Sequence, residues 1–182
     1  MSYRSYLLIF GLIPGASILG LILLSMTDLF GDPESNMASG MAEIIGFATM
    51  ILFLGVFLFV GISRYRNREL GGNITFKKAF TMGLLMVLIA SVTYVAGWMA
   101  FGSQDFYDEY GAQQIATIEA DATLSAEEQT SQIKEVEASM AMMENPVARA
   151  GMTFLEIFPV GLIIALIVGL LIPKSKPQSA TA

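Results

Sequence analysis

The sequence predicts an all-α membrane protein, a four-transmembrane-helix bundle with a helical insertion outside the membrane between helices 3 and 4. Hydrophobic residues make up 54% of the 182 residues and charged residues only 14%, a balance that soluble domains of this size rarely reach. The apolar residues fall into four runs, each near or above the ~20 residues that an α-helix needs to cross a ~30 Å hydrocarbon core. We therefore expect one membrane domain over 1–176 and a disordered tail over 177–182.

The four predicted spans are, in chain order, 6–26, 44–62, 76–101 and 152–172. The first is longer than the 7–15-residue apolar core of a signal peptide, so we interpret it as a retained helix. Pro14 removes a backbone donor within this span, and we expect a kinked helix rather than the broken helix of a transporter. Gly11 and Gly15 form a small-xxx-small pair, which permits close approach of a second helix.

The stretch 64–78 (RYRNRELGGNITFKK) separates the second and third spans and carries five of the ten Lys and Arg residues. We interpret it as a loop on the cytoplasmic side, because that side collects Lys and Arg. The residues that we expect to set the topology are Arg64, Arg66, Arg68, Lys77 and Lys78. Binding of anionic lipid head groups is an alternative role for them, although topology alone explains their presence.

Charge also separates the remaining polar segments. The segments 27–43 and 102–151 hold fourteen acids and two basic residues, whereas the N-terminal segment, the stretch 64–78 and the tail hold eight basic residues and one acid. All four spans agree with one alternation, in which the N-terminus, the stretch 64–78 and the C-terminus are cytoplasmic and the two acidic segments lie outside.

The outer segment 102–151 is predicted to contain a helix over 126–144. Ser125-x-x-Glu128 is a capping box at its start, and Asn145-Pro146 ends it. An apolar stripe at helical spacing indicates packing onto the bundle or onto a protein partner; its members are Ile133, Val136, Met140 and Met143. The preceding part, 105–120, is also compatible with a helix, and we expect it to continue the third span outward before Gly111.

Glu156 is the only acid within a predicted span, and ionisable residues inside a membrane are functional candidates as proton carriers or ion ligands. The alternative is that Glu156 lies one turn into the fourth helix, where the helix N-terminus favours a carboxylate and water has access. Arg149, seven residues earlier, is a candidate partner for it. Pro159 follows in the same span, and we interpret it as a tolerated kink rather than the wall of a cavity.

A stripe of small residues lies along one face of the fourth span, at a spacing of four. It consists of Gly161, Ala165 and Gly169. Residues of this size let helix backbones approach closely in a membrane, so this face is the best helix-packing surface in the chain.

Composition excludes several classes of activity. The chain has no Cys and no His, which removes disulfides, zinc sites of the usual kind, and nucleophilic catalysis by Cys or by a Ser-His-Asp triad. We expect no cofactor and no metal. The net charge of −6 argues against nucleic acid as a partner, because nucleic acid binds basic surfaces.

Two phrases resemble one family. They are GGNITFKKAFTMG at the start of the third span and FLEIFPVGLIIALIVGLLIPK in the fourth. With the four-span plan and the acidic outer segment, the chain resembles the bacterial membrane family catalogued as domain of unknown function 4199. The resemblance implies a four-helix protein of a bacterial inner membrane and implies no activity.

We therefore expect a non-enzymatic multi-pass membrane protein that acts through helix packing or protein contacts, with the lipid bilayer and a second copy or another membrane protein as partners. The alternative is a small transporter or channel component with Glu156 in the pathway. A membrane enzyme is the weakest hypothesis, because the spans contain no pair of groups suited to acid–base or nucleophilic chemistry.

Overall fold

The computed structural model describes residues 1–25, 27, 41–102 and 104–172, and this part of the chain is all-helical. Its six helices are α1 (Tyr3–Ser25), α2 (Met41–Glu69), α3 (Phe76–Phe101), α4 (Gln104–Ala120), α5 (Ala126–Met143) and α6 (Pro146–Leu171). Helices α1, α2, α3 and α6 are long and apolar enough to cross a membrane, which confirms the predicted fold class. The predicted tail 177–182 and most of the predicted acidic segment 27–43 lie outside the described residues.

The four long helices form a ring. Helix α3 packs most extensively against α1 on one side and α6 on the other, and α2 closes the ring by packing against the same two helices. Helices α2 and α3 therefore occupy opposite corners, although only a short turn joins them. They approach each other across the centre, where Ile62 of α2 lies beside Gly83 of α3.

The bundle interior consists of apolar side chains at helical spacing. Leu54, Leu58 and Ile62, four residues apart on α2, are completely buried. The matching buried residues of the neighbouring helices include Ile18, Met82, Met86, Val87 and Ile157. The outward faces are equally apolar, with Leu52, Val92 and Ile163 exposed, as expected of helices whose outer surface contacts lipid.

Glycines allow α1 to lie directly against α3. A Cβ atom built on Gly15 would lie 2.5 Å from the carbonyl oxygen of Ala90, and one built on Gly11 would lie 2.7 Å from Ile89. Both glycines therefore occupy positions where the neighbouring helix leaves no room for a side chain. This contact extends over the middle of α1, which runs without a break through the buried Pro14.

The small-residue stripe of α6 also faces α3. A Cβ atom on Gly161 would collide with Val87, and one on Gly169 would lie 3.3 Å from Phe76. Ala165 is completely buried opposite Gly83, where a Cβ atom would lie 3.2 Å from that of Ala165. The stripe thus packs within the bundle and is not an open surface.

The basic stretch is mostly helical, whereas the sequence predicted a loop over 64–78. Helix α2 continues beyond the predicted end at residue 62 to Glu69, and α3 begins at Phe76, so only residues 70–75 form a turn. Gly71 and Gly72 have φ angles of 60° and 91°, and the Gly72 N–H donates to the Arg66 carbonyl at 2.9 Å. The predicted loop was too long because Arg favours helices and one glycine in the left-handed region is enough to end a helix.

The outer helices form a hairpin. Helix α4 does not continue α3, as the sequence predicted, but starts after Gly102; Gly111 lies inside α4, and a Cβ atom there would lie 2.8 Å from Met140 of α5. The predicted capping box at the start of α5 is present. The predicted apolar stripe of α5 is half-buried along its whole length.

Replacing Gly15 should weaken the bundle, because the added methyl group of Gly15→Ala meets the α3 backbone, which cannot rotate away. We expect a loss of about 1–3 kcal/mol in the free energy of unfolding, the usual range for overpacking. Unfolding of the purified protein in mixed micelles, followed by circular dichroism, measures this loss.

Gly20→Ala, in the same helix, is the matched control, since a Cβ atom on Gly20 would meet nothing within 4 Å. It should leave stability unchanged or raise it slightly, because Ala has the higher helix propensity. Equal stability of the two variants would contradict the close α1–α3 contact.

Candidate functional site at the acidic end of the bundle

The acidic end of the bundle is the end where α3 stops, the α4–α5 hairpin attaches and α6 begins. Helix α6 starts at Pro146, six residues before the predicted start of the span. The Asn145 side chain accepts hydrogen bonds from the backbone N–H groups of Val147 (2.9 Å) and Ala148 (3.3 Å), and Pro146 occupies the first helical turn, where its missing N–H costs nothing. Asn-Pro is therefore a start signal for α6 as well as the predicted end of α5.

Glu156 is nearly three turns into α6, not one turn as the sequence predicted, because the helix begins earlier. Its side chain is exposed on the outward face, next to the exposed Leu155, whereas Thr153 and Ile157 face the interior. Glu156 is thus beyond the first turn of its helix, and its side chain is exposed within one chain.

Arg149 does not pair with Glu156 in the described part of the chain. Seven residues of helix separate them by about 10 Å along the axis. The guanidinium carbon of Arg149 lies instead 5.4 Å from the ring centroid of Tyr107 in α4, within the range of a cation–π contact.

An aromatic clasp connects three helices at this end, and we define it as Tyr94, Trp98, Tyr107 and Arg149. The Trp98 indole N–H donates to the Tyr107 hydroxyl, and the two rings meet edge to face with centroids 6.4 Å apart. Tyr94 stacks on the other side of Trp98 at 6.4 Å. The clasp therefore joins α3, α4 and α6 and holds the hairpin against the bundle.

Sequence reasoning did not find the contacts that Tyr94 and Trp98 make with other helices. Tyr107 belongs to a separate helix whose direction depends on the break at Gly102, and Arg149 was assigned to the acid seven residues on. The indole N–H of a Trp at a membrane interface needs a hydrogen-bond acceptor. Tyr107, nine residues after Trp98, is the sequence feature that could have indicated this acceptor.

The buried polar side chains that the structure describes within the bundle, Ser91 and Thr153, are neutral. Thr93 donates to the Ile89 carbonyl at 2.8 Å, while the buried Ser91 hydroxyl makes no hydrogen bond within the described part of the chain. Among the described residues, no group of three or more His, Cys, Asp or Glu side chains is placed to hold a metal ion. Pro159 is exposed within α6, which continues through it without a break.

The opposite, basic end contains a second aromatic group. The Tyr6 hydroxyl donates to Glu69 at 3.2 Å, and the Met1 amine lies 3.0 Å from the same carboxylate oxygen. Lys78 lies 5.5 Å from the centroid of Tyr65. These contacts join the start of α1 to the end of α2 and the end of α2 to the start of α3.

The predicted topology-setting residues all lie at this basic end. Arg66 is half-buried, and its Nε–H donates to the Asn67 side chain at 2.9 Å. The other four are exposed, namely Arg64, Arg68, Lys77 and Lys78.

The described part of the chain is all-helical, and its four long apolar helices, with an acidic hairpin at one end, form the architecture of a small multi-pass membrane protein. Residues 8–174 match the model of the family described as Protein of unknown function (DUF4199), and the chain belongs to this family. The match confirms the resemblance carried by the two phrases in the third and fourth spans. Comparison with curated proteins found no match, and comparison with solved structures found none either.

Tyr107→Phe should loosen the hairpin, because it removes the hydroxyl that accepts the Trp98 N–H. A neutral hydrogen bond contributes about 1 kcal/mol, so amide hydrogen exchange in α4 should become about fivefold faster while exchange in α3 is unchanged. Hydrogen exchange with mass spectrometry on the protein in nanodiscs measures both helices.

Glu109→Gln is the control for this measurement, since Glu109 is exposed on the same helix. It should leave exchange in α4 unaltered. If Tyr107→Phe behaves like Glu109→Gln, the clasp does not hold the hairpin.

Acid should weaken the start of α5. The backbone N–H and the hydroxyl of Ser125 donate to Glu128 at 2.8 and 2.7 Å and hold the pKa of that carboxyl below its usual range. The hydroxyl and backbone N–H of Thr123 lower the pKa of Asp121 in the same way. Since both pKa values are lower in the folded turn, the stabilisation is complete above the ordinary values of about 4 and is lost as pH falls through the folded values.

We therefore expect protection factors of the first-turn amides of α5 to fall below about pH 4, while those in the long helices stay constant. Ser125→Ala should reduce both the protection at neutral pH and its dependence on acid. Protection that is independent of pH in the unaltered protein would contradict this assignment.

Proposed function

We propose that this protein is a non-enzymatic membrane protein that acts through protein contacts made by its α4–α5 hairpin outside the membrane. The observation that carries the proposal is the clasped hairpin itself. It is held to the bundle by Trp98, Tyr107 and Arg149, yet both of its helices keep an exposed side. The small-residue faces of α1 and α6, by contrast, are already used within the bundle.

Charge supports a protein with a basic surface as the partner. Among the described residues of the hairpin, Lys134 is the one exposed cation. The exposed acids are Asp108, Glu109, Glu119, Glu127, Glu128, Glu135, Glu137 and Glu144. An acidic surface of this kind favours association with basic proteins and disfavours adsorption onto anionic lipid.

Residue content supports a role without catalysis. With no His and no Cys, acid–base or nucleophilic chemistry would depend on acids, Lys or hydroxyl groups. Glu156, the only acid within a predicted span, has an exposed side chain, whereas the Ser91 and Thr153 hydroxyls are buried.

We further propose that the protein resides in a bacterial inner membrane with both termini and the 70–75 turn in the cytoplasm. Lys and Arg concentrate at the end of the bundle that contains this turn, and acids concentrate at the hairpin end. This distribution is the one that the positive-inside rule associates with a cytoplasmic turn and an external hairpin.

The transporter alternative now requires an oligomer. A proton or ion path needs Glu156 beside an interior cavity, and in one chain its side chain is on the outside of the bundle. Only several copies arranged with their α6 outward faces around a common path would place Glu156 within that path.

One experiment tests both on which side of the membrane the hairpin lies and whether the hairpin contacts another protein. The absence of native Cys allows single-cysteine variants, Lys134→Cys on the hairpin and Asn73→Cys in the turn, both at exposed positions. In intact cells, an impermeant maleimide that carries a photo-crosslinker should label the first and not the second. Illumination should then join the hairpin to a discrete protein of defined mass.

The matched control adds Glu135→Gln and Glu137→Gln to the Lys134→Cys variant, which removes acids beside the probe without touching the bundle. The adduct should then weaken severalfold. An adduct of unchanged yield, or labelling with no adduct at all, would contradict the proposed contact. Proton flux in proteoliposomes that Glu156→Gln abolishes would favour the transporter alternative.

A further inference from the structure

The exposed cations at the basic end are fixed in position by the fold, which a role in topology alone does not require. We define the basic collar as Arg4, Arg64, Arg68, Lys77 and Lys78, all exposed. Arg4 belongs to α1, the two arginines to the last turns of α2 and the two lysines to the first turn of α3. The collar is thus built on three helices rather than on a flexible loop.

Backbone contacts hold the two main parts of the collar together. The 70–75 turn is closed by the Gly72 N–H to the Arg66 carbonyl (2.9 Å) and by the Asn73 N–H to the Leu70 carbonyl (3.3 Å). Ile74 is buried beneath it, and Lys78 contacts Tyr65 across it. The spacing between the arginines of α2 and the lysines of α3 is therefore set before any ligand arrives.

Glu69, an acid at this end of the bundle, does not neutralise the positive charge of the basic collar. Glu69 accepts the Tyr6 hydroxyl at 3.2 Å and lies against the Met1 amine, so its carboxylate is turned toward α1. In addition, Lys77 and Lys78 lie in the first turn of α3, where no acid is present and where the helix macrodipole disfavours positive charge. An anion above this turn would relieve that repulsion.

The collar also lies at the depth of lipid head groups. The last buried apolar residue of α2 is Tyr65, which Arg64 precedes by about 1.5 Å of helix and Arg68 follows by about 4.5 Å. The headgroup layer on each side of the hydrocarbon core is about 5–7 Å thick. Space above the turn is open, since a Cβ atom on Gly71 would meet nothing within 4 Å.

We propose that the basic collar is a binding surface for the head groups of anionic phospholipids in the adjacent leaflet. The arginines offer forked donors to phosphate oxygens, and the lysines add positive charge on the other side of the turn. This inference concerns the end of the bundle away from the hairpin and does not depend on the proposed protein contact.

Native mass spectrometry of the purified full-length chain tests the proposal. The protein is released from nanodiscs containing equal amounts of phosphatidylglycerol and phosphatidylcholine, and the retained lipids are counted. We expect at least a fivefold preference for phosphatidylglycerol, since each basic residue near an anionic surface contributes roughly fivefold in affinity. The triple variant Arg64→Gln/Arg68→Gln/Lys77→Gln should lose the preference.

The matched control makes the same net charge change on the hairpin, at three exposed positions of α5, with Ser131→Glu, Lys134→Gln and Ala138→Glu. It should keep the preference. Loss of preference in this control, or retention in the collar variant, would overturn the proposal by showing that net charge or the bundle surface selects the lipid.

Two further variants guard against misfolding of the triple variant. Arg64→Lys/Arg68→Lys keeps the charge, and Lys77→Gln alone removes one cation from an exposed position. The first should retain most of the preference and the second should reduce it by about fivefold. Equal lipid selectivity in all variants would also overturn the proposal.

Discussion

Close approach of α3 to both α1 and α6 is the constraint on which the rest of the structure depends. In a membrane, lipid tails are as apolar as the helices, so helix association relies on packing and not on the removal of water. Gly11 and Gly15 on one side, and Gly161 and Gly169 on the other, remove the side chains that would keep α3 away. Helix α2 then completes the ring with larger residues, Leu54 and Leu58, which fill the remaining interior.

Much of this architecture follows from local sequence patterns. Hydrophobic runs of spanning length located the four long helices, and the spacing of Gly161, Ala165 and Gly169 indicated a packing face, because both features depend only on helical periodicity. The capping box at Ser125 and Glu128 could likewise be predicted from residues close together in the sequence. Helix ends were harder to place, since Arg64, Arg66 and Arg68 are compatible with both a loop and a helix, and only the glycine geometry at 71 and 72 decides.

The candidate site was less predictable, because its contacts join residues from different helices. Assigning Arg149 to Glu156 used separation along one helix and ignored the possibility of a partner on α4. The Trp98–Tyr107 hydrogen bond depends on the direction that α4 takes after Gly102. The periodicity of the sequence gives no information about that direction. The distance of Glu156 from the helix N-terminus depends on the early start of α6, and its exposure depends on which face of α6 meets α3.

The placement of α2 and α3 at opposite corners bears on how the bundle is made during synthesis. Helices α1 and α2, which leave the ribosome before α3, pack against each other, but the glycine face of α1 that fits α3 has no occupant until α3 is complete. The most extensive contacts of the bundle all involve α3. Assembly in the bilayer therefore waits for the third helix, and a chain interrupted before it would expose the Gly11 and Gly15 face to whatever other helix is nearby.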